Sequence, residues 1–480
     1  YYVGGCIGAN VVDLSANTDM SGFRADNILG SISGEAFCGG IIGYQRTYTA
    51  AQLGLSSGAP VCEKIDELRK TAKASEKLFS TVDKTSGVPT AVVKSKNTHT
   101  LTVSTKGNDT NLTTDTNNIP ISTNLYAGGI VGYCERESRL VLKDCKNSGD
   151  ITKLSAGNTG VSLNAYIHSS EVGTTTASIN DQIKLHFVGG ITGVNLEKEV
   201  IDHCANTGSV SGFSGIGGVV SLNAGLVYHC ALNENFGNAA LNYIGGIAGI
   251  NIGTSTKTLN YGTIKNYTPG TIQSCSTAGG KTIAGQSNVG GIAGWNANGG
   301  TLKDNISQAN IQGSENYIGG LVGRNSGSIE AGVDSGTASR NIEGKSGEGV
   351  GGLVGINEAA GTIKVVGTGG TTATSELIAV NDKVTVWGKE KVGGIIGINE
   401  GQIGETNGTY LTCQAKSVRA TNGLVGGIAG TTNGDIRYAR NRSASVSADA
   451  GYAGGIVAEN NEGHTIAHCE NYGNVNSSNG

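Results

Sequence analysis

The chain is poor in the residues that build helical bundles, collagen-like fibres and aromatic cores. Its 480 residues include only 4 prolines, 1 methionine, 2 tryptophans and 6 phenylalanines, beside 79 glycines. So little proline excludes a collagen-like or proline-rich disordered chain, and so much glycine does not suit helix interiors, where each one costs about 1 kcal/mol relative to alanine. No stretch approaches the roughly 20 apolar residues of a membrane helix, so no membrane insertion is expected of this segment. Lys plus Arg at 34 nearly balances Asp plus Glu at 38. With no run of one sign there is no basic footprint, and nucleic acid is not expected as a partner. The ten cysteines include no C-x-x-C pair, which removes the usual zinc and thioredoxin-like readings. No His-Glu dipeptide occurs, so the H-E-x-x-H metallopeptidase signature is missing.

What is present is repetition. An apolar or small residue, two glycines, two apolar or small residues and usually a further glycine recur twelve times, with pairs beginning at Gly4, Gly39, Gly128, Gly189, Gly217, Gly245, Gly290, Gly319, Gly351, Gly393, Gly426 and Gly454. The shortest spacing is about 28 residues, and longer gaps read as that unit plus an insertion. Between the pairs a second phrase returns, as in Val200-Ile201-Asp202-His203-Cys204 and Thr465-Ile466-Ala467-His468-Cys469. A third follows it, as in Asn206-Thr207-Gly208-Ser209-Val210. Three short strands with corners in about 28 residues make one rung of a coil, because a lone rung cannot bury its apolar residues while stacked rungs share a core.

The expected fold is therefore all-β: a three-sided parallel β-helix, or β-solenoid, running continuously over residues 1–480. Right-handed winding is expected from the general crossover preference. Twelve rungs at about 4.8 Å predict a rod of about 60 to 80 Å. A propeller also repeats, but its blades need about 40 to 50 residues each. The glycine pair is expected to supply positive φ at a corner and close backbone approach. Asn195, Asn251, Asn296, Asn325, Asn357 and Asn399 are expected to end the following strand in left-handed geometry and to bond neighbouring backbone.

The phrase Gly-Gly-Ile/Leu-Val/Ala-Gly-x-Asn, followed by Gly-x-Ile and then Asn/Asp/His-Cys, resembles the GLUG-motif repeats of bacterial surface proteins. Clear copies cover residues 127–210, 244–329 and 350–475, with 217–230 weaker because Ser221 stands where the third glycine is expected. The resemblance implies an extracellular or secreted repeat region, of the kind found in adhesin-like proteins and beside peptidases that cleave immunoglobulin A.

The largest departure from the repeat is 45–125, read as an inserted subdomain with a helix over 62–80 and a hairpin over 91–103. Cys62, Ile65, Leu68, Ala72 and Phe79 would share one helix face, with Asp66 and Lys70 paired on another. Residues 104–118 read as an exposed loop, and further insertions span 153–185, 251–270 and 367–387. An insertion held on a scaffold suits recognition of a host or matrix glycan or protein, or it merely covers the coil.

Cys145, Cys204, Cys230, Cys275, Cys413 and Cys469 read as one column of the repeat, with Asn305 substituting once. The column favours packed thiols over disulfides between rungs, for which parallel in-register geometry is awkward. His203, His229 and His468 each precede a column cysteine. Asp144, Ser274, Asp304 and Thr412 hold the same place, so a polar corner explains them better than a metal ladder lacking an outer shell. No catalytic, cofactor-binding or metal residue is assigned, no cofactor is expected, and the chain is expected not to be an enzyme. A β-helix lyase or hydrolase would need carboxylates paired on adjacent rungs, and none recur. Regular threonine rows of an ice-binding face and calcium nonapeptides are also missing.

Tyr1 opens inside a repeat with no leader, and the chain stops where another glycine pair would follow. Cutting or processing from a longer chain is therefore expected, together with flanking repeats or end-to-end self-association. The function expected is that of a structural, adhesive stalk or filament on a bacterial surface.

Overall fold

The computed structural model describes residues 2–13, 18–25, 32–35, 37–48, 91–97, 101–104, 126–134, 140–153, 161–162, 184–185, 187–196, 199–212, 214–237, 242–253, 258–261, 264–330, 339–364, 376–404, 408–461 and 463–478. Among these residues every regular element is a β-strand. They form two compact units, Tyr1–Cys230 with Gly253–Gly270, and Ala231–Ile252 with Thr271–Gly480.

In the first unit the strands leading into the glycine pairs, Tyr2–Gly4, Phe37–Gly39, Tyr126–Gly128, Phe187–Gly189 and Ser214–Gly217, lie parallel with glycine opposite glycine. The strands leaving the pairs, Ile7–Asp13, Ile42–Tyr48, Val131–Cys134, Thr192–Asn195 and Val220–Asn223, form a second parallel sheet. Thr18–Ala25, Ala91–Asn97, Leu140–Lys143, Val200–Asp202 and Leu226–Tyr228 form a third. Neighbours in each sheet come from successive repeats, so the rungs stack and each rung's unpaired N–H and C=O groups are met by the next. This is a parallel β-solenoid.

The second unit repeats the scheme. Its strands entering the pairs stack from Asn242–Gly245 to Gly451–Gly454. Those leaving them stack from Ala248–Asn251 to Val457–Asn460. The third sheet runs from Thr271–Gln273 to Ile466–Ala467. Valines and isoleucines just before and after the pairs, such as Ile244, Ile247, Val289, Ile292, Ile318, Val350 and Ile395, are fully buried. Each such side chain contributes about 1.5 to 3 kcal/mol by leaving water.

The glycine pair acts through close approach alone, which corrects the expectation of positive φ: no pair glycine adopts it. A Cβ on the first glycine would strike the carbonyl oxygen three residues on, as at Gly319 with Val322 and at Gly393 with Ile396. A Cβ on the second would strike the second glycine of the next rung, as at Gly320 with Gly352 and at Gly352 with Gly394. The left-handed corners lie elsewhere and are held mostly by other residues. One column, two residues before the pair, contains Tyr243, Asn288, Tyr317, Gly349 and Lys391. Another contains Asp144, His203, His229, Ser274, Asp304, Tyr438 and His468, with φ between 50° and 53°. Thr412, expected in that column, does not adopt it.

The asparagines form a ladder and do not take the left-handed geometry expected of them. In the second unit each Nδ2 donates to the next rung's side-chain oxygen, from Asn251 through Asn296, Asn325, Asn357 and Asn399 to Thr432, at 2.8 to 3.0 Å. The expected bond to backbone is also made: Asn296 Nδ2 donates to Gly300 O at 3.3 Å. The ladder crosses repeats of different length, 29, 32 and 42 residues. Insertions therefore leave the rungs in register.

Three further expectations change. Ala91–Asn97 and Leu101–Ser104 are not a hairpin: each pairs in parallel with strands of adjacent repeats, so they complete a rung. Within 45–125, residues 45–48, 91–97 and 101–104 thus belong to rung strands, and the helix expected over 62–80 and the loop over 104–118 lie, all but Ser104, outside the described residues. Within 367–387, Glu376–Val380 and the start of Val384–Gly393 are likewise regular rung strands. Cys413 also leaves the cysteine column, because it lies opposite Asn441 while Leu411 lies opposite Ala439, the residue at the Cys469 position.

Candidate functional site

A polar cluster that is partly buried lies in the first unit, where the insertion after Asn251 returns over the third sheet. The strands Leu259–Tyr261 and Ile264–Tyr267 pair antiparallel as a hairpin. Tyr267, Leu259, Tyr261 and Ile264 cover Val141, Val200 and Leu226, which lie side by side on three successive rungs. Three adjacent β-branched or leucine side chains pointing away from the coil need such a cover, since an exposed apolar row would invite association.

The same cover buries Asp202, whose side chain is 4% exposed. Tyr261 Oη donates to Asp202 Oδ2 at 2.8 Å. Lys143 Nζ, one rung away, stands 3.6 Å from that oxygen. The other carboxylate oxygen, Oδ1, is 2.5 Å from His203 Nδ1. Burial, then the bond to Asp202, pushes the Tyr261 hydroxyl well above the usual tyrosine range. It remains a donor at every physiological pH.

His203 and His229 occupy equivalent left-handed corners on adjacent rungs, with φ of 51° and 50°. This backbone throws both imidazoles outward while Cys204 and Cys230 turn inward and are buried. His203 Nε2 and His229 Nδ1 are 3.1 Å apart, and the ring centroids 4.6 Å. The Tyr228 ring lies against His229 at 3.8 Å. A hydrogen-bonded line thus runs Tyr261, Asp202, His203, His229, from buried hydroxyl to exposed imidazole. Asp202 accepts from His203 Nδ1–H, which leaves the Nε2 lone pair facing His229.

Beneath this line the cysteines are structural. No described cysteine is in a disulfide. Cys204 Sγ donates to Leu142 O at 3.3 Å and Cys230 Sγ to Ile201 O at 3.5 Å, each onto the neighbouring rung. Burial, then the adjoining thiols of Cys145 and Cys230, drives the Cys204 thiol well above its ordinary range. A thiol so far from ionising is a poor nucleophile. In the second unit Cys275 N donates to Asn305 Oδ1 at 2.9 Å, so the asparagine that replaces cysteine there contributes its own bond.

Of the three histidines that precede a column cysteine, only His203 and His229 come together. His468 belongs to the second unit and stacks on Tyr438, with centroids 4.7 Å apart. Asp202, Tyr261 and Lys143 were not singled out. The one signal for Asp202 was an acid directly before the histidine in a phrase that elsewhere carries Lys143, Tyr228, Gln273 or Lys303. No group of three or more histidine, cysteine, aspartate or glutamate side chains among the described residues is placed to hold a metal ion. No helix among them is long and apolar enough to cross a membrane. No family model, curated protein or solved structure matches the chain.

Proposed function

We propose that the chain is a structural and adhesive repeat region of an extracellular bacterial surface protein, related to GLUG-motif repeats. It acts as a stiff stalk that presents loops to host or matrix glycans and proteins, and it is not an enzyme. The observation that carries this reading is the asparagine ladder of the second unit. It holds rungs of unequal length in one register, so residues can be added between rungs without disturbing the stack. A scaffold that tolerates insertion at its edges is suited to display, because loops carry recognition while the frame fixes their position.

The test is a binding screen against glycans and host matrix proteins with the full chain and with a variant lacking 49–90. Binding that is lost with that segment supports the display reading. Shortened polysaccharide products in the same wells would overturn it in favour of a carbohydrate-active enzyme.

A further inference from the structure

We infer that His203 and His229 form a chelating pair for a first-row divalent transition cation, with Asp202 as the residue that positions His203. The proposal rests on three features of the first unit. The first is spacing: donor nitrogens 3.1 Å apart, each about 2.0 to 2.1 Å from a shared metal, subtend an angle of roughly 95 to 100°. That lies between the cis angle of a square-planar site and the tetrahedral angle, and suits copper, nickel or zinc. The second is donor type, since imidazole is the ligand shared by those ions, and water completes the sphere on the exposed side.

The third is the outer shell. Metal-bound histidines characteristically donate their other ring N–H to a carboxylate or carbonyl, which fixes the tautomer and raises ligand basicity. His203 makes that contact with Asp202 at 2.5 Å. Asp202 is itself held by the Tyr261 hydroxyl at 2.8 Å and faced by Lys143 at 3.6 Å. A polar corner needs none of this, and Ser274 and Asp304 hold the equivalent left-handed position with other side chains. On binding, the cation replaces the proton shared by the two rings. His229 loses hydrogen from Nδ1 and gains one at Nε2 through water, so no net proton is released. The site then clamps two adjacent rungs.

The experiment uses the full chain and Zn2+ or Cu2+ in chelator-free buffer, with titration calorimetry for stoichiometry and electron spin resonance for Cu2+ ligands. Asparagine tolerates the left-handed corner, so His203→Asn and His229→Asn remove the imidazoles without straining the backbone. Each is expected to lose one equivalent of bound ion, and the Cu2+ spectrum to lose its coupling to two imidazole nitrogens. The variant His464→Asn/His468→Asn keeps that equivalent. Asp202→Asn is expected to weaken it about 10- to 100-fold while retaining both nitrogens in the spectrum. Copper should bind more tightly than zinc. Unchanged stoichiometry in the His203→Asn/His229→Asn chain, with its β-sheet circular dichroism intact, would overturn the assignment.

Discussion

The two units use the same glycine-marked rung but fill its corner differently. In the first, Phe37, Tyr126 and Phe187 stack across successive rungs with centroids 5.2 and 5.1 Å apart, and Tyr44 and Tyr133 close over them. In the second, the corresponding positions hold Tyr243, Asn288, Tyr317, Gly349 and Lys391, and the residues facing them are Ile250, Trp295, Arg324, Ile356 and Ile398. There Arg324 lies over the Trp295 ring at 5.3 Å and pairs with Glu358. Stacked rings on an extended strand in the first unit, and mixed aliphatic, aromatic and charged groups on a left-handed corner in the second, are carried by the same glycine-marked rung. The contrast teaches that backbone collisions and the polar ladder set the register, while the corner filling can vary.

The largest effect should come from breaking what the units share. Gly129→Val and Gly320→Val each drive a side chain into the carbonyl of the next rung's glycine. Each is expected to cost more than about 4 kcal/mol and to abolish cooperative thermal unfolding by circular dichroism. Gly280, with φ of 74° and no atom near an added Cβ, is the control: Gly280→Ala should cost about 1 kcal/mol, from left-handed strain alone. Unequal responses at Gly129 and Gly320 would show that the two units do not share their constraint.

Next in size is the filling itself. Phe187→Ala removes a fully buried ring from the stack of the first unit and should cost about 3 to 5 kcal/mol. Asn288→Ala, at the corresponding position of the second unit, removes a side chain whose bond to Asn242 is a long 3.4 Å and leaves alanine at a left-handed φ of 53°, and should cost about 1 to 2 kcal/mol. Urea denaturation of the two variants sharpens the comparison. Equal losses would mean that the corner is a common core and not an interchangeable filling.

Much of this was legible in the sequence because a solenoid writes its register into the chain. The glycine phrase and the asparagine column predict which residues lie opposite each other, as with Asn357 and Asn399. Failures arose where local pattern and register diverge. Residues 91–103 alternate like a hairpin, but alternation reports a half-buried strand and is silent about its partner. Cys413 follows Leu411 and Thr412 in a phrase that mimics the cysteine corner, yet it lies two residues further along the rung. There it packs against Gly394, at the place held elsewhere by Asn147, Asn206 or Asn441. The Asp202 cluster was hidden because Tyr261 reaches it from 59 residues away in an insertion. No periodicity connects them.

The ladder comes next. Asn325 accepts from Asn296 and donates to Asn357, both at 2.8 Å, within a row of five asparagines and a threonine. Asn325→Ala leaves the Asn357 oxygen without that donor in a buried setting, and a loss of about 2 to 3 kcal/mol is expected from urea denaturation. Asn325→Thr should recover part of it, since Thr432 closes the same row by accepting from Asn399 at 3.0 Å. Failure of threonine to rescue would show that Asn325 acts by shape and not through its bonds.

The smallest effect is electrostatic and belongs to the second unit. Arg419 grips Asp449 with Nε at 2.9 and 3.0 Å from its two oxygens, and this pairing holds the Asp449 carboxyl below the usual aspartate range. Glu470 is held low by Arg440 and then by the Tyr410 hydroxyl. A folded-state pKa below the unfolded value means that the stabilisation is complete above about pH 4 and fades as pH falls through the lower folded value. Both carboxylates are at least one third exposed, so solvent screening limits each pair to about 1 kcal/mol or less. Arg419→Ala should therefore lower the thermal midpoint slightly at pH 7, and the difference should shrink as the pH is lowered toward 2 and Asp449 takes up its proton. A difference that persists at pH 2 would place the contribution of Arg419 in its packing, as long basic side chains also cover apolar surface, and would remove this ion pair from what distinguishes the two units.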